Sequence, residues 1–350
     1  MWTKLISFIF TSAVCWVYSQ PQSQSSLPLR YWDLSTGSHI AFIQFLARDS
    51  ASAIPLIFLH GGPGGYEVST AIENNRGDRY RKLAELGFNV YLYDQIGGGL
   101  SARLDDPSSY TVDRHVEDLE KIRVLVGNKP TILVAGSWGA TLAAHYMAKY
   151  PENIVKAVFI SPKNINYCEL TDRRDTMKSP ADLLSGDLQK IQNRFGEKLY
   201  QRYKQLSTLM KKDIRQAHSF AGDDDMDKLN DSLWSQMMEH YVYNKEVIRD
   251  FNSSGMGWWS FVMTSWDALM QQPINDHLRF NHTPVMVIHG ELDIIPEETA
   301  REYSSVFPNA KFVNVPKCGH LIGLEQPDVL YNQIEQFLQQ ASDSTANDNH

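Results

Sequence analysis

Apolar residues along this chain gather into short unbroken runs, separated by stretches in which they recur every three or four positions. The runs Ile40–Leu46, Ile54–Leu59, Asn89–Tyr93, Thr131–Ala135, Ile154–Ile160, Val285–Ile288 and Lys311–Val315 are rich in β-branched and aromatic residues and predict strands. Those ending at Leu59, Tyr93, Ala135, Ile160 and Ile288 barely alternate with polar residues, the pattern of strands buried on both faces of a parallel sheet. Val112, Val116, Leu119, Ile122 and Val126 form one apolar stripe on a helix closed by Gly127, and Ala140–Tyr150 predicts a second helix stopped by Pro151. Strands alternating with helices imply an α/β chain with a mainly parallel sheet flanked by helices.

The rhythm breaks over 162–276. This stretch holds charge-rich helical pieces, a loop-like Gly222-Asp223-Asp224-Asp225 and a tryptophan patch at Trp258, Trp259 and Trp266, with no run of the core type. It reads as a helical cap insertion between a first core part at 28–161 and a second at 277–340. The polar residues 341–350 read as a disordered tail. No internal repeat is present.

The first residues read as a targeting segment. Lys4 precedes an uncharged apolar run from Leu5 to Tyr18, and Val17 and Ser19 are small enough for cleavage after Ser19. The expected organisation is a signal peptide at 1–19 and a linker at 20–27, hence a secreted or periplasmic protein, membrane-anchored if the segment is not cleaved. The run is short of the roughly 20 residues a membrane span needs, so no stable membrane insertion is expected after cleavage. A lipid-modified Cys15 is disfavoured by Val14 before it. Removal of Cys15 leaves Cys168 and Cys318, too few for a disulfide framework, and whether these two pair is open.

Hydrophobic residues at 43% and charged residues at 21% match an ordinary globular chain with material for a sizeable core. A net charge of −8 argues against a nucleic-acid partner, which leaves a basic footprint.

The strongest chemical signal is Val134-Ala135-Gly136-Ser137-Trp138-Gly139-Ala140, where a buried strand runs into a serine and a helix follows at once. A nucleophile elbow needs this arrangement, with small residues two before and two after to keep the tight turn free of clashes. Ala135 departs from glycine at the first of these. Taken alone, the serine could be an ordinary helix cap. The strand ending at Leu59 also runs into His60-Gly61-Gly62-Pro63-Gly64-Gly65, where glycines let backbone N–H groups approach a ligand. Such a loop supplies half of an oxyanion hole, and the N–H of Trp138, after the serine, the other half. A phosphate-binding loop is disfavoured, since neither glycine-rich phosphate signature is present.

An acid and a base should follow in the order serine, acid, histidine. Asp293 lies just past the strand Val285–Ile288 and His320 just past the next, which brings both toward Ser137. Glu291 is a rival acid and His60 and His289 rival bases, both histidines reading as structural. Ser101 is a weaker rival nucleophile because it follows a glycine loop. The eleven histidines are scattered without metal-ligand spacing, and Asp223-Asp224-Asp225 lacks the rest of a calcium loop, so no metal and no cofactor is expected. The tryptophans of the cap either line a pocket or pack the cap on the core.

His60-Gly61-Gly62-Pro63-Gly64, Asp94-Gln95-Ile96-Gly97-Gly98-Gly99-Leu100-Ser101 and Gly136-Ser137-Trp138-Gly139-Ala140-Thr141-Leu142-Ala143 together resemble the prolyl aminopeptidase (proline iminopeptidase) group of the α/β-hydrolase superfamily. The resemblance covers about Leu29–Ser161 and Thr283–Leu338. It implies an α/β-hydrolase fold, a Ser137–His320–Asp293 triad, Gly62 and Trp138 as oxyanion donors, and a cap that decides the substrate. In that group the loop after the fourth strand usually reads Asp-Gln-Arg-Gly, whereas Ile96 stands here in place of arginine. The group holds the substrate's α-ammonium with cap glutamates. Trp266-Asp267 loosely resembles one such setting, and nothing here matches the other.

The expectation is therefore a secreted serine hydrolase working through an acyl-enzyme on a small molecule or short peptide. An aminopeptidase of the proline iminopeptidase kind leads, with an ester or lactone hydrolase as the alternative and a non-catalytic binding module as a third reading. Epoxide hydrolase and dehalogenase chemistry is disfavoured because those relatives carry aspartate where Ser137 stands.

Overall fold

The computed structural model describes residues 27–73, 77–166, 177–186, 196–249 and 253–340. The expected leader, nearly all of the linker, Cys168 and the 341–350 tail lie outside the described residues.

One sheet of eight strands organises the chain: β1 (Arg30–Asp33), β2 (His39–Phe45), β3 (Ile54–Leu59), β4 (Phe88–Tyr93), β5 (Thr131–Gly136), β6 (Ile154–Ile160), β7 (Val285–Gly290) and β8 (Ala310–Val315), in the order β1-β2-β4-β3-β5-β6-β7-β8. The pairs β1–β2 and β2–β4 are antiparallel and every other pair is parallel. The expected α/β architecture is therefore present, with one strand the apolar pattern missed. β1 is an edge strand, mostly exposed, which needs no buried face. Trp32 within it stacks on Phe42 of β2.

The strands lack alternation because both faces are covered. Leu133 and Ala135 face one core and Ile132 and Val134 the other. The first core lies under α3 (Val112–Leu125), α4 (Trp138–Lys149) and, farther along, the helix Glu297–Val306; the second lies under α2 (Gly77–Glu85) and the helix Pro327–Gln339. Val112, Val116, Leu119 and Ile122 on α3 are almost wholly buried, which stabilises the fold by about 1.5–3 kcal/mol per side chain relative to exposure.

Between β6 and β7 the described residues form helices and no strand: a 3-10 segment at Pro180–Gly186, α5 (Glu197–Met210), α6 (Ile214–Phe220), α7 (Asp223–Met237), short 3-10 turns at Met238–His240 and Lys245–Ile248, α8 (Trp258–Met270) and α9 (Asn275–Leu278). The aspartates expected in a loop instead open α7, where negative charge favours the positive helix start. α1 (Val68–Glu73) follows β3, α10 (Glu297–Val306) follows β7, and α11 (Ile322–Glu325) and α12 (Pro327–Gln339) are the last helices of the described residues. Among the described residues, no helix is long and apolar enough to cross a membrane.

The cap is joined to the core through backbone packed on backbone. Gly257 N–H donates to Gly64 O at 2.7 Å and Gly99 N–H to Gly255 O at 2.8 Å. A Cβ on Gly257 would stand 1.5 Å from Gly97 O, so only glycine allows this approach. Asp231 of α7 fixes the cap segment before α8 by accepting from Gly255 and Met256 N–H, both at 3.0 Å. Arg103 pairs with Asp227 at 2.8 Å beside it.

Candidate active site

Ser137 sits between β5 and α4 with φ 51° and ψ −119°, a backbone conformation that a non-glycine residue holds only when its surroundings impose it. Its N–H donates to Ile160 O at 2.9 Å, and its carbonyl accepts from Ala140 and Lys163 N–H at 3.0 and 3.2 Å. Ser137 precedes the first turn of α4, yet its hydroxyl makes no capping bond; the ordinary helix-cap reading does not describe it. The turn is tight because Gly139 lies on the end of β3, where a Cβ would meet Leu59 O at 2.2 Å. Ala135, the departure from the elbow pattern, is buried in the core.

The loop after β3 packs on this turn. A Cβ on Gly61 would stand 3.1 Å from Ser137 Cβ and 3.7 Å from its Oγ. His60 holds the loop from behind: its Nε2 accepts from Gln95 N–H at 2.9 Å, which places the ring proton on Nδ1, 2.8 Å from Gly61 O. The Gln95 side chain donates to His60 O at 3.0 Å and accepts from Trp138 Nε1 at 2.9 Å, tying the loop to the helix after the serine. Burial pushes the His60 pKa down, against the opposing charge of Asp94. His60 is a brace, as its position at a strand end implied. Gln95 was not singled out by the sequence pattern, since its role depends on two long-range contacts.

Asp293 and His320 meet. Nδ1 of His320 lies 2.8 Å from Oδ1 and 3.1 Å from Oδ2 of Asp293, and both side chains are buried. Burial acts to raise the Asp293 pKa, but the hydrogen bond and charge of His320 and the Ile295 N–H outweigh it, and the net shift is downward. Ile295 N–H reaches Oδ1 at 2.8 Å. The rival acid and the rival nucleophile are otherwise engaged. Glu291 is exposed and accepts from Lys317 N–H at 2.9 Å, bracing the histidine loop. Ser101 donates to Asp94 O and accepts from Ala41 N–H at 2.9 Å. His289 is buried with Nδ1 3.7 Å from Asp293 Oδ2, and burial lowers its pKa. Cys318 is free and buried, its thiol pushed up to about 12 by burial and by Glu325, an inert state.

Ser137 and His320 open on a cavity of about 970 Å³ that Gly61 and Gly62 also line. Its cap side is formed mainly by Leu184, Tyr203, Leu233, Trp234, Met237, Met238, Tyr241, Met256, Trp258, Phe261 and Val262, with the polar Asn230, Glu246, Ser253 and Ser254 among them, a largely apolar roof that carries one carboxylate. Trp258 is both buried and on the cavity, edge-on to Trp259, whose Nε1 donates to Ala221 O at 2.9 Å. The tryptophan patch thus divides between lining and packing. Trp266 and Asp267, singled out for substrate binding, do not line the cavity. Asp267 Oδ2 instead accepts from Val112 N–H at 2.8 Å and Gln271 Nε2 at 3.0 Å. It satisfies a donor at the start of α3, so its carboxylate faces away from the space where an α-ammonium would sit. No group of three or more metal-ligating side chains occurs among the described residues.

The cap reaches the histidine as well as the glycine loops. His320 N–H donates to Tyr241 O at 2.8 Å, and the Tyr241 ring stands edge-on to the imidazole at 5.5 Å between centroids. Nothing in the sequence marks Tyr241 for this place.

Comparison with known proteins agrees with this fold. The chain matches the α/β hydrolase fold family over residues 54–327. It is 26% identical over 306 residues to a proline iminopeptidase of Heyndrickxia coagulans, covering 87% of this chain and 96% of that protein. A proline iminopeptidase of Saccharolobus solfataricus is 39% identical over 111 residues, 31% of this chain and 33% of the relative. Among solved structures, an esterase from Exiguobacterium antarcticum superposes with a TM-score of 0.61 at 13% identity, over 89% of this chain and 99% of that one. An enol-lactonase from Burkholderia xenovorans LB400 gives 0.60 at 14%, over 89% and 100%; at such identities the likeness concerns the fold. With its strand order, its strained serine turn and a family match across most of its length, this chain belongs to the α/β-hydrolase fold family.

Proposed function

We propose that the protein is a serine hydrolase in which Ser137 is the nucleophile, His320 the general base and Asp293 the residue that orients it. The observation that carries this reading is the buried His320–Asp293 pair at 2.8 Å opening on the same cavity as Ser137. The Ser137 hydroxyl adds to a substrate carbonyl while His320 Nε2 takes its proton, and Asp293 stabilises the imidazolium through Nδ1–H. The tetrahedral oxyanion is held by the N–H groups of Gly62 and Trp138, each such donor typically worth about 100- to 1000-fold in rate. His320 then protonates the leaving group as the C–N or C–O bond breaks, leaving an acyl-enzyme that water hydrolyses by the same route reversed.

The relatives favour an amide at an N-terminal proline as the substrate. One observation favours a second reading, an ester or lactone: Asp267 is committed to α3, and Glu246, the cap carboxylate that does line the cavity, is paired with Arg249. Purified protein lacking residues 1–19 should be compared with Ser137→Ala on proline β-naphthylamide and p-nitrophenyl butyrate, with fluorophosphonate labelling alongside. Faster amide turnover selects the aminopeptidase and ester turnover alone selects the second reading. Absence of both turnover and labelling in the wild type would leave a binding module. We extend the proposal to export of the mature chain; its N-terminus, sequenced from culture supernatant, should begin at Gln20.

A further inference from the structure

Glu325, at the end of α11, gathers main-chain donors from two separate parts of the chain. Its Oε1 accepts from Gly319 N–H at 2.8 Å, in the loop that carries His320, with the Cys318 thiol at 3.8 Å. Its Oε2 accepts from Tyr243 N–H and Asn244 N–H, both at 2.8 Å, in the cap. A carboxylate binds N–H donors more strongly than a neutral acceptor does, and it alone offers two equivalent oxygens for two sets of donors. The pieces it joins already touch. A Cβ on Gly319 would stand 2.7 Å from Tyr241 O and 2.9 Å from Tyr243 N, and His320 N–H donates to Tyr241 O at 2.8 Å. Cap segment and histidine loop are thus locked in both directions, each giving N–H groups that the other side or Glu325 accepts.

We propose that Glu325 is a positioning residue that bolts the cap segment Tyr241–Asn244 to the loop of His320, so that seating of the cap and placement of the histidine are one event. The proposal rests on the reading of His320 as general base. It assigns the cap a part in catalysis beyond shaping the cavity: a cap lifted at this edge takes His320 with it. Glutamine at 325 keeps the shape but has one acceptor oxygen, and its NH₂ would face N–H donors on the other side. It can serve the histidine loop or the cap, not both.

The test compares wild type with Glu325→Gln and with Gly319→Ala, which leaves Glu325 intact but wedges a methyl between loop and cap. Hydrogen–deuterium exchange is followed in peptides covering 238–247 and 316–322, with 131–149 as reference. Both variants should speed exchange in the first two peptides together and leave the third unchanged. On p-nitrophenyl butyrate, kcat should fall about tenfold to hundredfold, the scale of a small misplacement of a catalytic group. Fluorophosphonate labelling of Ser137 should slow in parallel. Loosening of only one peptide, or of both with kcat and labelling unchanged, would overturn the coupling. Paired loosening in a protein whose wild type never labels at Ser137 would keep the bolt and discard the hydrolase reading.

Discussion

Gly61 lies against Ser137 so closely that a methyl group at Gly61 would stand 3.1 Å from the serine Cβ and 3.7 Å from its Oγ. The glycine loop after β3 therefore leaves room for a reacting carbonyl only while it carries no side chain. Gly61→Ala should lower kcat/KM about tenfold or more with little change in melting temperature. Gly136→Ala is the control, since its nearest neighbour, Ile160 O, is 3.9 Å away; it should keep most activity. Equal losses in the two variants would count against this reading of the loop.

Asp293→Asn removes the acceptor for the His320 Nδ1–H while preserving shape. In the triad reading it should cost ~10⁴-fold in kcat through the wrong tautomer. Glu291→Gln should stay within a few-fold of wild type, because Glu291 touches only the backbone of the histidine loop. Steady-state kinetics on one ester substrate checks both. A larger loss in the Glu291 variant would transfer the role to that residue.

Asp267→Ala should act on stability rather than on substrate choice. The lost acceptor at Val112 N–H should cost about 1 kcal/mol, the usual scale for a helix-start donor left unsatisfied. KM should change alike for substrates with free and with blocked amines. A selective rise for free amines would restore the α-ammonium role that the sequence resemblance suggested.

His115 gives an acid-stability prediction. It is a buried residue of α3 that faces the cap, edge-on to Trp138, with Nε2 3.1 Å from Thr264 Oγ1. Burial first, then the positive charge of neighbouring groups, pushes its pKa down from 6.5 to about 3. An unfolded chain takes up this proton below pH 6.5 and the folded chain does not, so folding stability falls as pH drops from 6.5 toward 3. The slope from this one group approaches about 1.4 kcal/mol per pH unit. Urea unfolding at pH 7, 6, 5 and 4 should show His115→Asn losing less stability across the range than wild type. Parallel curves would mean that the folded histidine takes its proton normally.

Much of this site is legible in the sequence. The strained serine turn and the aspartate–histidine pair are written locally, each just past a buried run: Ser137 after β5, Asp293 after β7, His320 after β8. β1 was not legible, because an exposed edge strand carries no apolar signature, and the acidic start of α7 looked like a loop for the same want of apolar residues. The position of Trp266-Asp267 off the cavity and the parts played by Gln95, Tyr241 and Glu325 share another cause. Those roles are set by contacts between residues far apart in sequence, many of them through main-chain N–H and carbonyl groups that any residue type supplies.

The glycine contacts Gly257–Gly64 and Gly99–Gly255 and the Glu325 bonds to Tyr243 and Asn244 fasten the roof through its peptide groups. Side chains such as Trp234, Met237 and Met238 line the chamber but take no part in that fastening. Mutation can therefore change the lining of the chamber while the attachments hold, so that substitutions at Trp234, Met237 or Met238 reshape the space above Ser137 without unseating the roof.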